Sequence, residues 1–411
     1  MADIFIGRQP IFDRKLKVIA YELLYRHADV DRAIISDFDA ASSEVVVNSL
    51  IDVGLDRLVG QAQAYCNFTR GFLLKGAGVS FAPGQLVVEV LETVQPEPEI
   101  FSALEKLSAA GHQIALDDFI LSEDTCELVK YADIVKVDIL AQSRPQIASQ
   151  VFKLRKMKDL KLLAEKVETH EDFQYCQKLG FDYFQGFFFS KPQVMAGRKI
   201  APGRLAMLRL MAELQRPEID MEVLQRIIET DVNLSVKLLR QINSCFYSLL
   251  SEVKSVRQAM IYLGVSHIRN WACVVALGSI DDKPQEIVTM SLVRAKMCEL
   301  LGGGQDAEQS SEFFTVGLFS LLDTIFDSTM DEVLEDMPLD REVKNALLHR
   351  EGTLGRVLAN IEAHEKGEWD RVEQDGYGQR QIMGAYIQAL EWARTVQDNM
   401  GTEYGDAVAA F

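Results

Sequence analysis

The feature that most constrains this chain is a change of hydrophobic period near residue 190. Upstream, short apolar runs alternate with longer amphipathic stretches; downstream, nearly every apolar pattern repeats at helical spacing. The runs at 17–24, 64–68, 86–91, 113–119, 134–139, 160–164 and 183–188 are predicted strands, with helices such as 100–110 and 146–156 between them. Strands alternating with helices imply a mostly parallel α/β sheet, and seven or eight such units suggest closure into a TIM-like barrel. An open doubly wound sheet is the competing topology, but no Gly-rich phosphate loop supports it.

The stretch KPQVMAGRKIAPGR at 191–204 holds two prolines and two glycines and breaks both patterns. Two domains are therefore expected, a barrel over 1–196 and an all-α domain over 197–411. In the second, Leu205, Leu208, Met211 and Leu214 share a face that stops at Pro217. Asp220 is the expected N-cap of a helix burying Val223, Leu224, Ile227 and Ile228, and Asp231 of one carrying Leu234, Leu238, Leu239 and Ile242. Two late helices are expected at 340–350 and 381–399, the last with Ala385, Tyr386, Ala389, Leu390, Ala393 and Val396 on one side.

Charge narrows the function classes. The net charge is −18: residues 1–200 carry 23 basic and 28 acidic side chains (−5), the remainder 20 and 33 (−13). A chain this acidic, without a basic stripe, disfavours direct binding to nucleic acid. A small phosphodiester remains compatible, because a bound divalent metal reverses the local field. The six cysteines form no C-x-x-C pair and read as small buried hydrophobes. No signal-like N-terminus and no run of 18 uncharged apolar residues occurs, so a cytoplasmic protein without a membrane span is expected.

The informative polar residues fall within or just after the predicted strands. They are Glu22, Asn67, Glu89, Asp117-Asp118, Lys136 and Asp138, Glu165 and Glu168, and Gln185. Taken singly, each is more often a solvated strand end or an ion pair than a ligand. As an ordered series they converge, because parallel-barrel strands end at one mouth. Carboxylates and an amide there suit hard cations such as Mg²⁺ or Mn²⁺. Two such ions would clamp a phosphodiester and activate water, with a lysine steadying charge on phosphate oxygens.

This series resembles the EAL family of cyclic di-GMP phosphodiesterases over about residues 5–195. The E-A-L-x-R signature corresponds to Glu22-Leu23-Leu24-Tyr25-Arg26, the strand-end asparagine to Asn67, and E-x-x-E to Glu89 and Glu92. D-D-F-G corresponds to Asp117-Asp118-Phe119 followed by Ile120, K-x-D to Lys136 and Asp138, A-E-G-V-E to Glu165 and Glu168, and the late glutamine to Gln185. The resemblance implies that Glu22, Asn67, Glu89 and Asp117 hold metal, with Asp118 bridging. It implies Glu165 as the base for water, with Lys136, Glu168 and Gln185 supporting the reacting centre. Arg26 would grip a ligand phosphate, with Leu24 and Glu92 alongside the ligand. Two departures weigh against turnover. Ile120 replaces a glycine and resists positive φ, and Lys166 replaces another, putting a cation beside Glu165 that would compete with metal or lower its basicity.

The second half resembles HDOD domains, helical relatives of HD-type metal phosphohydrolases. Asp231-Val232-Asn233-Leu234-Ser235, Lys237-Leu238-Leu239-Arg240, Asn243-Ser244, Ser255-Val256-Arg257-Gln258-Ala259 and Tyr262-Leu263-Gly264 carry the likeness. No His-Asp dipeptide exists, and 317–323, where an HD enzyme would carry it, has no histidine. His267 and His349 stand singly and read as ordinary core or surface residues. No cofactor is expected in this half. The overall expectation is a bacterial signal-transduction protein of the cyclic di-GMP network. Its barrel would bind or regulate with little or no catalysis, and the HDOD half would contact another signalling protein; a homodimer is compatible. The alternative is an active, metal-dependent phosphodiesterase producing linear pGpG.

Overall fold

The computed structural model describes residues 4–27, 53–76, 81–191, 208, 210–216, 221–230, 238–239, 242–243, 253–278, 283–304, 307–335, 337–374 and 377–401. The chain divides into two units. One comprises residues up to Phe189 together with His364–Asp370, the other Ser190–Ala363 and the chain from Arg371. The expected boundary at 196/197 lies outside the described residues.

The first unit is a closed eight-stranded barrel in the order β1 to β8. Its strands are β1 Ile4–Asp13, β2 Val18–His27, β3 Gln63–Phe68, β4 Leu86–Val90, β5 Gln113–Leu116, β6 Ile134–Asp138, β7 Lys161–Glu165 and β8 Tyr183–Gln185. β2 to β8 run parallel to one another, whereas β1 is antiparallel to both β2 and β8. The sequence pattern missed β1, because Gly7-Arg8-Gln9-Pro10 interrupts its apolar residues. A local device makes the hairpin. Asp13 Oδ1 accepts from the backbone N–H groups of Lys15 (2.8 Å) and Lys17 (2.9 Å), and Leu16 takes φ +61° in the turn.

Outer helices α1 Leu55–Val59, α2 Arg70–Leu74, α3 Pro98–Ala109, α4 Arg144–Met157 and α5 His170–Leu179 link the strands. Helix α3 starts with proline and buries Ile100, Ala103, Leu104 and Leu107 at the helical period. Inside the barrel, Ile11, Ala20, Tyr65, Val87, Ala115, Ile134 and Leu163 form a buried layer. Side chains two residues apart on a strand share a face. The next inward layer toward the strand C-termini is therefore Glu22, Asn67, Glu89, Asp117, Lys136 and Glu165, so the site rests on packed hydrocarbon. After β8, Gly186 sits at φ +147°, and a Cβ there would land on the Val167 backbone.

His364–Asp370 completes the barrel unit. Trp369 stacks on Phe5, with ring centroids 5.3 Å apart and planes 11° apart, and a Cβ on Gly7 would lie 3.1 Å from its ring. Nothing in the hydrophobic periodicity assigns this short segment to the barrel.

The second unit is helical, with α6 Met221–Thr230, α7 Val256–Gly278, α8 Gln285–Gly302, α9 Ala307–Phe319, α10 Leu322–Phe326, α11 Met330–Glu335, α12 Arg341–His349, most of α13 Gly352–Glu365 and α14 Trp369–Gln374, and α15 Gln379–Gly401. Leu208, Met211, Leu214, Leu224, Leu238 and Ile242 are buried, as are all six residues expected on one side of α15. Val223 is instead 38% exposed, so it lies off the buried stripe of α6. Leu205, Asp220, Asp231 and Leu234, and the side chain of Ile227, lie outside the described residues. Asn243 clasps the Val253 backbone from both ends of its amide, at 2.8 Å each way, and α7 breaks at Gly264 (φ +79°). By length and composition, α7 is the one helix among the described residues apolar enough to cross a membrane. Of that apolar window, 56% is buried inside the protein.

Candidate active site

Seven of the sequence-predicted residues meet at the barrel mouth. At their centre lies Lys136 Nζ, fully buried on β6. It pairs with Asp117 Oδ1 (2.8 Å), Glu165 Oε1 (2.8 Å), Glu22 Oε2 (3.3 Å) and Glu89 Oε1. Gln185 Nε2 donates to Glu22 Oε2 at 2.6 Å and to Gln9 Oε1 at 2.8 Å, bringing in Gln9, which the sequence reading did not select. Asn67 Nδ2 donates to Glu22 Oε1 at 3.4 Å, and the Tyr25 hydroxyl donates to the Asn67 carbonyl.

One ammonium cannot neutralise four carboxylates. Burial therefore pushes Glu89 well above the usual carboxylate range and Glu165 up to about 8, with Lys136 opposing both shifts. For Lys136 burial favours the neutral amine, but the combined field of the carboxylates wins and holds it charged. Several lone pairs at the site stay unused: Glu89 Oε2, Glu165 Oε2, Asn67 Oδ1, Gln185 Oε1 and Asp118 Oδ1 are buried without a hydrogen bond. Orphaned buried oxygens on hard donors fit a divalent cation. Among the described residues no three carboxylate, imidazole or thiol groups are already spaced as a ligand set; the mouth carboxylates instead close on Lys136.

The remaining predicted residues sit differently. Asp118, half-exposed after β5, pairs at 3.4 Å with Lys166. Glu92, in the turn after β4, and Glu168, after β7, are exposed and stand outside the buried cluster. Leu24 is half-buried, two residues beyond Glu22 on the same strand face, while the Arg26 side chain lies outside the described residues.

Two expectations about the departures need correction. Lys166 does not pair with Glu165; its ammonium reaches Asp138 Oδ2 at 2.5 Å and Asp118 Oδ2 at 3.4 Å. Ile120 is spared a left-handed backbone, since Asp118 takes φ +40° instead, and Ile120 is simply exposed. Gln150 on α4 braces this loop by donating to the Phe119 carbonyl at 2.6 Å.

In the helical unit, Ser320 within the 317–323 stretch borders an ion-pair network. Arg294 donates to Ser320 Oγ at 3.1 Å and reaches Glu362 at 3.4 Å. Arg350 grips Glu362 through two hydrogen bonds of 2.8 and 3.1 Å. Neighbouring Asp323 is raised above the usual carboxylate range by burial. His267 and His349 are both exposed.

Residues 77–192 match the EAL domain model and residues 204–350 the HDOD domain model. YuxH of Bacillus subtilis is 32% identical over 406 residues, covering 96% of this chain and 99% of YuxH. The chain belongs to the EAL–HDOD family. The cyclic di-GMP phosphodiesterase CdgJ of Vibrio cholerae is likewise 32% identical over 404 residues, covering 96% of the EAL–HDOD chain and 94% of CdgJ. Among solved structures, the EAL-domain protein YkuI of Bacillus subtilis, in complex with substrate c-di-GMP and calcium, is 21% identical with a TM-score of 0.39. That match covers 55% of this chain and 71% of YkuI.

Proposed function

We propose that this EAL–HDOD protein is a signalling protein whose barrel binds cyclic di-GMP with a divalent metal and hydrolyses it to linear pGpG. The carrying observation is the convergence of Glu22, Glu89, Asp117 and Glu165 on Lys136, with Gln185 bonded to Glu22 and buried oxygens left unbonded. The full-length likeness to CdgJ, a named cyclic di-GMP phosphodiesterase, supports the same reading. Glu22, Asn67, Glu89 and Asp117 would hold Mg²⁺ or Mn²⁺, which when bound polarises the phosphodiester and acidifies water.

The protein's own groups supply the rest. Glu165, deprotonated when the metal binds, accepts the proton of the attacking water, and the burial that raises its pKa makes its carboxylate a stronger base. Lys136 remains charged within the site and steadies negative charge on the phosphate oxygens. Gln185 orients Glu22, Leu24 lies beyond it on the same strand face, and Arg26 would grip a ligand phosphate. The helical unit serves as the contact surface for another signalling protein.

A second reading, binding without turnover, is favoured by the Lys166 pairing with Asp118 and Asp138. Full-length protein with Mn²⁺ and cyclic di-GMP separates the two. Appearance of pGpG, lost in Glu165→Gln, supports hydrolysis. Ligand-induced thermal stabilisation without product supports binding alone, and absence of both overturns the proposal.

A further inference from the structure

The acidic side chains at the mouth form two groups, each closed around its own lysine. The inner group, described above, surrounds buried Lys136. The outer group is Asp118, following β5, and Asp138, ending β6, and both reach Lys166. Asp117 and Asp118 are consecutive, so this dipeptide spans the two groups, one carboxylate in each.

The outer lysine is held by costly geometry. Lys166 has φ +55° and Asp118 φ +40°, a left-handed region that side-chain-bearing residues seldom adopt. Asp138 is anchored independently, since its Oδ1 accepts the backbone N–H groups of Leu140 (2.7 Å) and Ala141 (3.1 Å). Its Oδ2 is thereby aimed at the Lys166 ammonium, 2.5 Å away. Lys166 remains 51% exposed and Asp118 38%, so this pair stands on the solvent side of the site.

Resting on the proposed metal-dependent reading, we infer that Lys166 takes the place of the outer of two cations, so that this mouth binds a single divalent ion. An ammonium is a compact point charge, and covalent attachment keeps it at the carboxylates at high effective concentration. A free ion entering between Asp118 and Asp138 must displace it or sit against like charge. Phosphodiester chemistry that uses an ion pair needs both positions filled. Here the protein supplies one of the two charges as a side chain, which cannot acidify water as a metal does.

The test counts bound Mn²⁺ by equilibrium dialysis and by the spin–spin broadening that paired Mn²⁺ ions show in electron paramagnetic resonance. It uses full-length protein, Lys166→Gly, Lys166→Asn and Lys166→Arg. Glycine and asparagine tolerate positive φ, so both remove the charge without backbone strain. The expected result is one ion for the parent and Lys166→Arg, and two broadened ions for the Gly and Asn variants. Two ions in the parent, or one in every variant, overturns the inference. Ions gained by Lys166→Gly when the parent binds none would refute the inner metal reading while supporting the role of Lys166. No binding by any variant refutes both.

Discussion

Replacing Lys136 with methionine removes the one cation among Glu22, Glu89, Asp117 and Glu165 while nearly conserving volume. At an effective dielectric constant near 20, each contact of about 3 Å is worth roughly 5–6 kcal/mol. The barrel does not lose their sum, because a carboxylate can take up a proton instead. Glu89 and Glu165 are already pushed upward by burial, so the cluster can relieve its charge by protonation, and a carboxylate at its free-peptide value sets the upper bound on that cost. Protonating a carboxylate of ordinary pKa at pH 7.5 costs about 4 kcal/mol, at about 1.4 kcal/mol per pH unit. This cheaper route sets the expected loss at about 4 kcal/mol, within the roughly 3–5 kcal/mol for breaking a buried pair. The same route makes the loss shrink to about 1.5 kcal/mol at pH 5.5. Hydrogen exchange of β4 and β6 peptides, in chelator, measures the barrel separately from the helical unit. Mn²⁺ should restore much of the protection lost by Lys136→Met. A loss under about 1 kcal/mol at pH 7.5, or one independent of pH, would refute the reasoning behind a cluster held together by this ammonium.

Other outcomes follow from the same geometry. Because Glu165 lies near 8 and Glu89 well above its usual range, Mn²⁺ binding at pH 7 should release about two protons, read from titration heats in buffers of different ionisation enthalpy. A slope near zero would show that these carboxylates are ionised before metal arrives. His364 is fully buried and pushed down to about 4 by burial, against the opposing Ile6 backbone hydrogen bond. Its folded-state pKa is depressed, so its contribution is present above about 6.5 and is lost as pH falls through about 4. That loss is about 3 kcal/mol, and His364→Phe should flatten this part of the stability profile. Trp369→Ala removes the stack on Phe5 and should cost the barrel about 3–5 kcal/mol, seen as lost exchange protection in β1 peptides. Gly186→Ala, which drives a methyl into the Val167 backbone, should destabilise the barrel by about 3 kcal/mol or more in urea unfolding.

Much of the barrel and its site was legible because strand periodicity is local. Placing Tyr65, Val87 and Ile134 on an inward face also places Asn67, Glu89 and Lys136 there, one pleat further on. The helical half was legible in part for the same reason, and Val223 shows the limit, since helical spacing marks a stripe without locating its edges. What the sequence alone determined, then, is two domains of different period, an acidic ring at strand ends and the absence of a His-Asp pair. Closure of the tertiary structure decided the rest. It recruited the polar, proline-containing β1 by giving it two antiparallel partners, and Trp369 by giving it Phe5. It also put Lys136 among four carboxylates and turned Lys166 away from Glu165 toward Asp118 and Asp138. These outcomes depend on residues distant in the chain, whose approach is set by barrel closure, and no local pattern encodes them.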